Sequence, residues 1–196
     1  MDKSELKDTI GHDLSRYSMG NVLTLKVFLK CFYWYSLPGL KFTIVFRYCQ
    51  YYRRKNRLLF YFFMLWWRHL KVKYGFDISY RTKIGKGLYI GHFGGIVVHG
   101  DAEIGEYCNL SQGVTIGELI RGKKAGIPKI GNKVFIGPGA TILGNITIGD
   151  EALIGTQSIV NFDVPNQAVV ASPLASIISN KGSKDYIIMN DNQNNL

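Results

Sequence analysis

The sequence predicts a mainly β chain: a parallel β-helix of six-residue repeats, preceded by an α-helical region. Three observations carry this. Aliphatic residues keep a six-residue beat from Ile84 to Val160. A glycine usually follows each of them. Composition also changes abruptly near residue 75, from basic and aromatic to neutral and repetitive. These divide the chain into a helical domain (1–75), a repeat domain (76–170) and a C-terminal extension (171–196), expected to be partly disordered.

The first 75 residues carry fourteen Lys/Arg against four acids, and so hold the whole net charge of +10. Eighteen of the 26 aromatic residues lie between Tyr17 and Tyr74. Leu25, Phe28, Leu29 and Phe32 recur at helical spacing. Ser36-Leu37-Pro38-Gly39 reads as a turn. Helices are expected over about 41–50 and 58–73, with Gly75 as a stop. No apolar run reaches the ~20 residues of a spanning helix, and the polar start lacks a signal peptide. Bulky apolar residues interleaved with basic ones, and no nucleic-acid motif, argue against nucleic acid. Two readings remain for residues 14–75. They pack as a cap on the next domain, or they meet the inner face of a membrane while the protein stays cytoplasmic. The membrane reading is preferred, because twelve basic residues without an acid exceed what a cap needs. Cys31, Cys49 and Cys108 have no metal or disulfide spacing and read as reduced thiols.

In the repeat, Ile84, Ile90 and Ile96 are six apart, as are Ile104, Leu110 and Ile116. Ile130, Ile136, Ile142, Ile148, Ile154 and Val160 continue the beat. Such a period is the signature of short strands stacked coil on coil. Three hexapeptides per coil start coils at Ile84, Ile104, Ile130 and Ile148. The beat then slips by two residues between Ile96 and Ile104, at His99-Gly100-Asp101, and by eight between Ile116 and Ile130. Both slips fall at one corner, so His99 and the loop 118–129 are expected to be neighbours. Corner glycines are expected for backbone freedom.

The stretches "DISYRTKIGKGLYIGHFGGIVV", "LSQGVTIG", "GIPKIGNKVFIGPGATILGN" and "IGTQSIV" resemble the serine-acetyltransferase branch of the hexapeptide acyltransferases over roughly 77–178. The resemblance implies a left-handed hand for the β-helix, a homotrimer with sites between subunits, and transfer from acetyl-CoA to a hydroxyl. It implies that His92 is the general base and that Asp77 orients it. An 18-residue coil would set Tyr74 under His92 and leave Asp77 three positions away, within reach across one ~4.8 Å coil spacing. Histidine suits this task near neutral pH, and a carboxylate fixes its tautomer. The hydroxyl attacks the thioester directly, so no enzyme nucleophile is needed. Cys108, at a small inward position, reads as core. The resemblance places pantetheine along an edge beside Gly117, Pro138 and Thr156. Lys123, Lys124, Lys181 or Lys184 would neutralise phosphates. His92 and His99 are the only histidines of the repeat, too few for a three-histidine metal site, and no metal is expected.

The serine-binding positions depart from that family's pattern. An aspartate there is Gly91 here, and an Arg-His pair is Gly126-Ile127. Free serine would lose its charged partners. The expected acceptor is therefore a saccharide hydroxyl, on a capsular or exopolysaccharide precursor, as in the acetyltransferases of capsule, exopolysaccharide and O-antigen synthesis. Gly91, Gly126 and His99 would face it. The alternatives are serine or another small alcohol as acceptor, and a non-catalytic membrane-associated scaffold.

Overall fold

The computed structural model describes residues 2–34 and 37–180. Ser36 of the expected turn, and Lys181 and Lys184, lie outside them.

Four helices come first. In α1 (Lys3–Ser15) the Asp2 side chain accepts from the Ser4 and Glu5 amides, and Glu5 reaches back to the Asp2 amide. This capping box opens a helix in a stretch too polar to show a periodic face. Helix α2 (Leu25–Leu29) runs into a π-helical turn, Lys30–Trp34. Helix α3 (Pro38–Tyr52) starts at Pro38, so Pro38-Gly39 opens a helix rather than forming a turn. A Cβ on Gly39 would collide with the Ile90 carbonyl oxygen, so only glycine lets α3 sit this close to the prism. Helix α4 (Arg57–Tyr74) is capped by Asn56 and ends on Gly75 at φ +68°, the expected stop.

The rest is a parallel β-helix of three sheets. The first stacks Phe76–Ile78, Ile96–Val98, Thr115–Gly117, Thr141–Leu143 and Ile159–Val160. The second stacks Lys83–Ile84, Glu103–Ile104, Lys129–Ile130 and Thr147–Ile148. The third stacks Tyr89–Ile90, Asn109–Leu110, Phe135–Ile136, Leu153–Ile154 and Val169–Val170. Ile84, Ile104, Ile130 and Ile148 form one buried column, as the spacing predicts. Each such side chain contributes roughly 1.5–3 kcal/mol by leaving water. One strand of the first sheet, Phe76–Ile78, also precedes Ile84.

One predicted phase is wrong. In the first sheet Ile78, Val98, Ile116, Ile142 and Val160 stack, so Val98 and not Ile96 keeps the beat. The two extra residues therefore lie between Ile90 and Val98, at the corner holding His92. The corner of His99 has ordinary length. The eight-residue insertion does leave from the His99 corner, as expected. The glycines at the second-to-third-sheet corner also serve a different end: a Cβ on Gly105 would stand 2.5 Å from the Gly131 carbonyl oxygen, so coil stacking rather than unusual φ demands them.

A buried ion pair joins the helices to the prism. Arg47 Nε donates to Asp13 at 2.9 Å, and its Nη1 and Nη2 donate to the Ile84 and Gly85 carbonyls at 2.7 and 2.6 Å. Asp13 also accepts from the Leu88 amide at 2.9 Å. The Tyr17 hydroxyl donates to the Ile90 carbonyl and accepts from its amide. The strand that leads into His92 is thus held from outside by Tyr17, just past α1, and by α3 through Gly39.

Candidate active site

The corner 91–95 connects the third sheet to the first. Gly94 and Gly95 have φ of +110° and +65°, values that side chains disfavour. The Gly94 amide donates to Tyr74 and the Ile96 amide to Gly75, so the end of α4 supports the corner from below. From above, the Gly113 amide donates to the Gly94 carbonyl. Between these supports the two extra residues lift His92 and Phe93 into solvent. A cleft of about 300 Å³ opens there, lined by His92, Gly91, Tyr89, Asn109, Gln112 and Pro138 among others. A solvent-facing imidazole beside a cleft can accept a proton from a bound hydroxyl.

Asp77 is not joined to it. Among the described residues no hydrogen bond or ion pair links the two side chains, and the Asp77 carboxylate pairs with Lys71 Nζ at 2.5 Å. The cause is register. The first two coils are offset by twenty residues, Phe76 under Ile96, so Asp77 lies under Val97. The position twenty residues before His92 is Val72, inside α4.

The proposed coenzyme contacts also separate. Pro138 and Thr156 follow third-sheet strands and share the His92 corner. Gly117 ends a first-sheet strand opposite Leu143, at the other end of that sheet. Lys123 and Lys124 lie there too, in the insertion. Lys124 Nζ is 2.6 Å from Asp163, and that contact holds the Asp163 carboxyl below its usual range, with the Thr147 amide adding to the effect. A single edge beside Gly117, Pro138 and Thr156 is thus not what one subunit presents.

His99 is occupied by its own turn. Its Nδ1 accepts from the Asp101 amide at 3.2 Å, and its Nε2 is 3.9 Å from Glu118 at the start of the insertion. The insertion folds back on itself through paired hydrogen bonds between Leu119 and Gly126. Gly126 has φ +133°, and a Cβ there would stand 2.8 Å from Asn145 Cβ. The backbone therefore requires glycine at 126. Gly91 is different: its φ is ordinary, and an added Cβ would meet only the edge of the Tyr89 ring at 3.1 Å.

Sequence reasoning missed several residues of the cleft. Arg16, at the end of α1, hydrogen-bonds Asn109 and lies 5.7 Å over the Tyr89 ring, bringing a cation to the cleft wall. Gln112 Oε1 is buried and has no hydrogen-bond partner among the described residues. No spacing ties α1 to Asn109, so Arg16 had no signal; Gln112 was visible only as a polar residue in the motif "LSQGVTIG". Cys108 is buried as expected, its thiol pushed up to about 11 by burial. Among the described residues no cluster of three His, Cys, Asp or Glu could hold a metal ion.

Known proteins share this scaffold. The family described as bacterial transferase hexapeptide (six repeats) matches residues 127–161. A serine acetyltransferase of Synechococcus elongatus is 38% identical over 110 residues, 55% of this chain and 44% of that protein. One from Helicobacter pylori is 36% identical over 105 residues, 54% of this chain and 61% of that protein. The chain thus spans about half the length of the curated relatives it matches. Among solved structures, serine acetyltransferase of Neisseria gonorrhoeae in complex with serine superposes with a TM-score of 0.68 at 29% identity, over 89% of this chain and 70% of that one. The soybean apoenzyme gives 0.68 at 30% identity, over 87% and 68%. All four of these relatives are named for serine, not for a capsular or O-antigen sugar.

Proposed function

We propose that this chain, which belongs to the hexapeptide-repeat transferase family, is an acetyl-CoA-dependent O-acetyltransferase. The observation that carries the reading is His92, raised on a two-residue insertion beside a cleft, in a scaffold shared with named acetyltransferases.

The chemistry asks little of the protein. The acceptor hydroxyl gives its proton to a neutral ring nitrogen of His92 while its oxygen attacks the thioester carbonyl. The tetrahedral intermediate collapses, the C–S bond breaks, and the imidazolium returns the proton to the departing thiolate. Free CoA and an acetyl ester result, and His92 is neutral again. Asp77 serves as orienting carboxylate only if it exchanges Lys71 for the His92 ring when substrates bind. Gln112, whose buried oxygen has no hydrogen-bond partner among the described residues, is a candidate acceptor contact. Pro138 and Thr156 flank the path of the pantetheine at this corner. Gly117, Lys123 and Lys124 would reach coenzyme only across the first sheet or from a neighbouring subunit. The homotrimer is supported by the outward column of the third sheet, where Phe135, Leu153 and Val169 are exposed.

Serine is the acceptor that the named relatives favour. A saccharide hydroxyl, with the polysaccharide role it implies, is the second reading, and Gly91 is the observation that favours it. Gly126 no longer counts toward it, because its backbone excludes other residues. A thiol-release assay with acetyl-CoA against serine, nucleotide sugars and oligosaccharides tests both. Release with any acceptor supports acetyl transfer, and the best acceptor decides between the two. If no acceptor releases thiol and calorimetry detects no CoA binding, the chain is a scaffold instead.

A further inference from the structure

Helix α4 has two apolar faces. At 100° per residue, Phe63, Trp67, Leu70 and Tyr74 point to one side, where they pack against α3 and the first coil. Leu58, Tyr61, Phe62, Leu65 and Val72 point to the other, with the exposed His69 among them. Leu58, Phe62, Leu65 and Val72 are 84, 57, 61 and 77% exposed. The stripe runs about 21 Å along the helix. A single exposed apolar residue needs no explanation, but the solvent side of a surface helix is ordinarily polar.

The rims of this stripe are cationic. Arg57, Arg68 and Lys73 flank it, and Arg53, Arg54 and Lys55 precede it, all exposed. No Asp or Glu occurs from Leu14 to Phe76. Phe32 contacts Trp66 at 5.1 Å, which sets the segment 25–33 beside α4. That segment exposes Leu25, Leu29 and Tyr33 together with Lys26 and Lys30.

We infer that the outer face of α4, with this neighbouring segment, is a docking surface for the headgroup layer of a bilayer containing anionic lipid. The apolar stripe enters the interface, and the cationic rims meet the lipid phosphates. No helix of the described residues is long and apolar enough to cross a membrane, so the contact lies along the surface. A second copy fits less well. Self-pairing about a two-fold axis would bring cationic rims together with no acid between them. This surface does not depend on the acetyl-transfer reading.

The test is co-flotation of the full chain with phosphatidylcholine vesicles, with and without phosphatidylglycerol. Binding is expected only with the anionic lipid and should weaken with salt. The double variant Phe62→Asp/Leu65→Asp should abolish it. Arg54→Glu/Arg57→Glu should lower partitioning by more than roughly tenfold, at about fivefold per basic residue lost. Circular dichroism and thiol release follow folding and the remote site, so a loss of flotation with thiol release retained belongs to this surface alone. Absence of flotation with anionic vesicles overturns the inference. So does equal flotation on neutral vesicles, or flotation unchanged in both variants. A drop in sedimentation mass for the Phe62→Asp/Leu65→Asp variant, with flotation retained, assigns the face to a second copy instead.

Discussion

The two ends of the first sheet carry the two histidines of the repeat, and they are built to opposite ends. At one end the corner lengthens by two residues, two glycines adopt positive φ, and His92 stands free beside a cleft. At the other, His99 sits in a corner of ordinary length with its ring accepting from its own turn. The insertion there is longer, yet it is tied down by Leu119–Gly126 pairing and the Lys124–Asp163 contact. Length added to a repeat is therefore not the mark of a reactive corner. What separates the two is that His92 stands beside the cleft, whereas His99 is engaged by its own turn.

Substitutions can break this contrast, and the largest effect belongs to His92. His92→Ala should lower thiol release by about 10²–10⁴-fold, the usual contribution of a general base, with sedimentation mass unchanged. Next come the two glycines. Gly126→Ala should cost about 1–3 kcal/mol in denaturant unfolding, because it forces a side chain into a φ +133° position against Asn145. Gly91→Ala should stay within about 0.5 kcal/mol, since its φ is ordinary and only the Tyr89 ring must give. Equal costs at the two sites would remove the distinction between a backbone glycine and a permissive one. Gly91→Asp sharpens the acceptor question: it should raise serine turnover relative to sugars if position 91 selects the acceptor. The smallest effect is expected at the far corner, where His99→Ala should change thiol release by no more than about twofold, the scale of an ordinary surface substitution.

Much of the prism was legible because isoleucine spacing and coil stacking are one fact seen twice. The columns through Ile84 and Ile90 follow directly from the six-residue beat. The beat failed at Ile96-Val97-Val98, where two aliphatic residues of one strand are both buried and either can claim the phase. A phase taken from Ile96 places the insertion at His99, whereas the observed phase through Val98 places it at His92. The same slip shifted Asp77 closer to His92 than the twenty-residue register allows. Helix α1 was invisible because its stability comes from a capping box and from Asp13 reaching Arg47, not from a periodic face. Arg16 joins the cleft only through that docking, so no local pattern could have announced it.

The most direct test of the contrast is a crystal structure of the full chain with CoA. The mechanism predicts the thiol sulfur beside His92, within hydrogen-bonding reach of its ring and close to Pro138. A sulfur placed at the His99 corner, with His92 left in solvent, would contradict it.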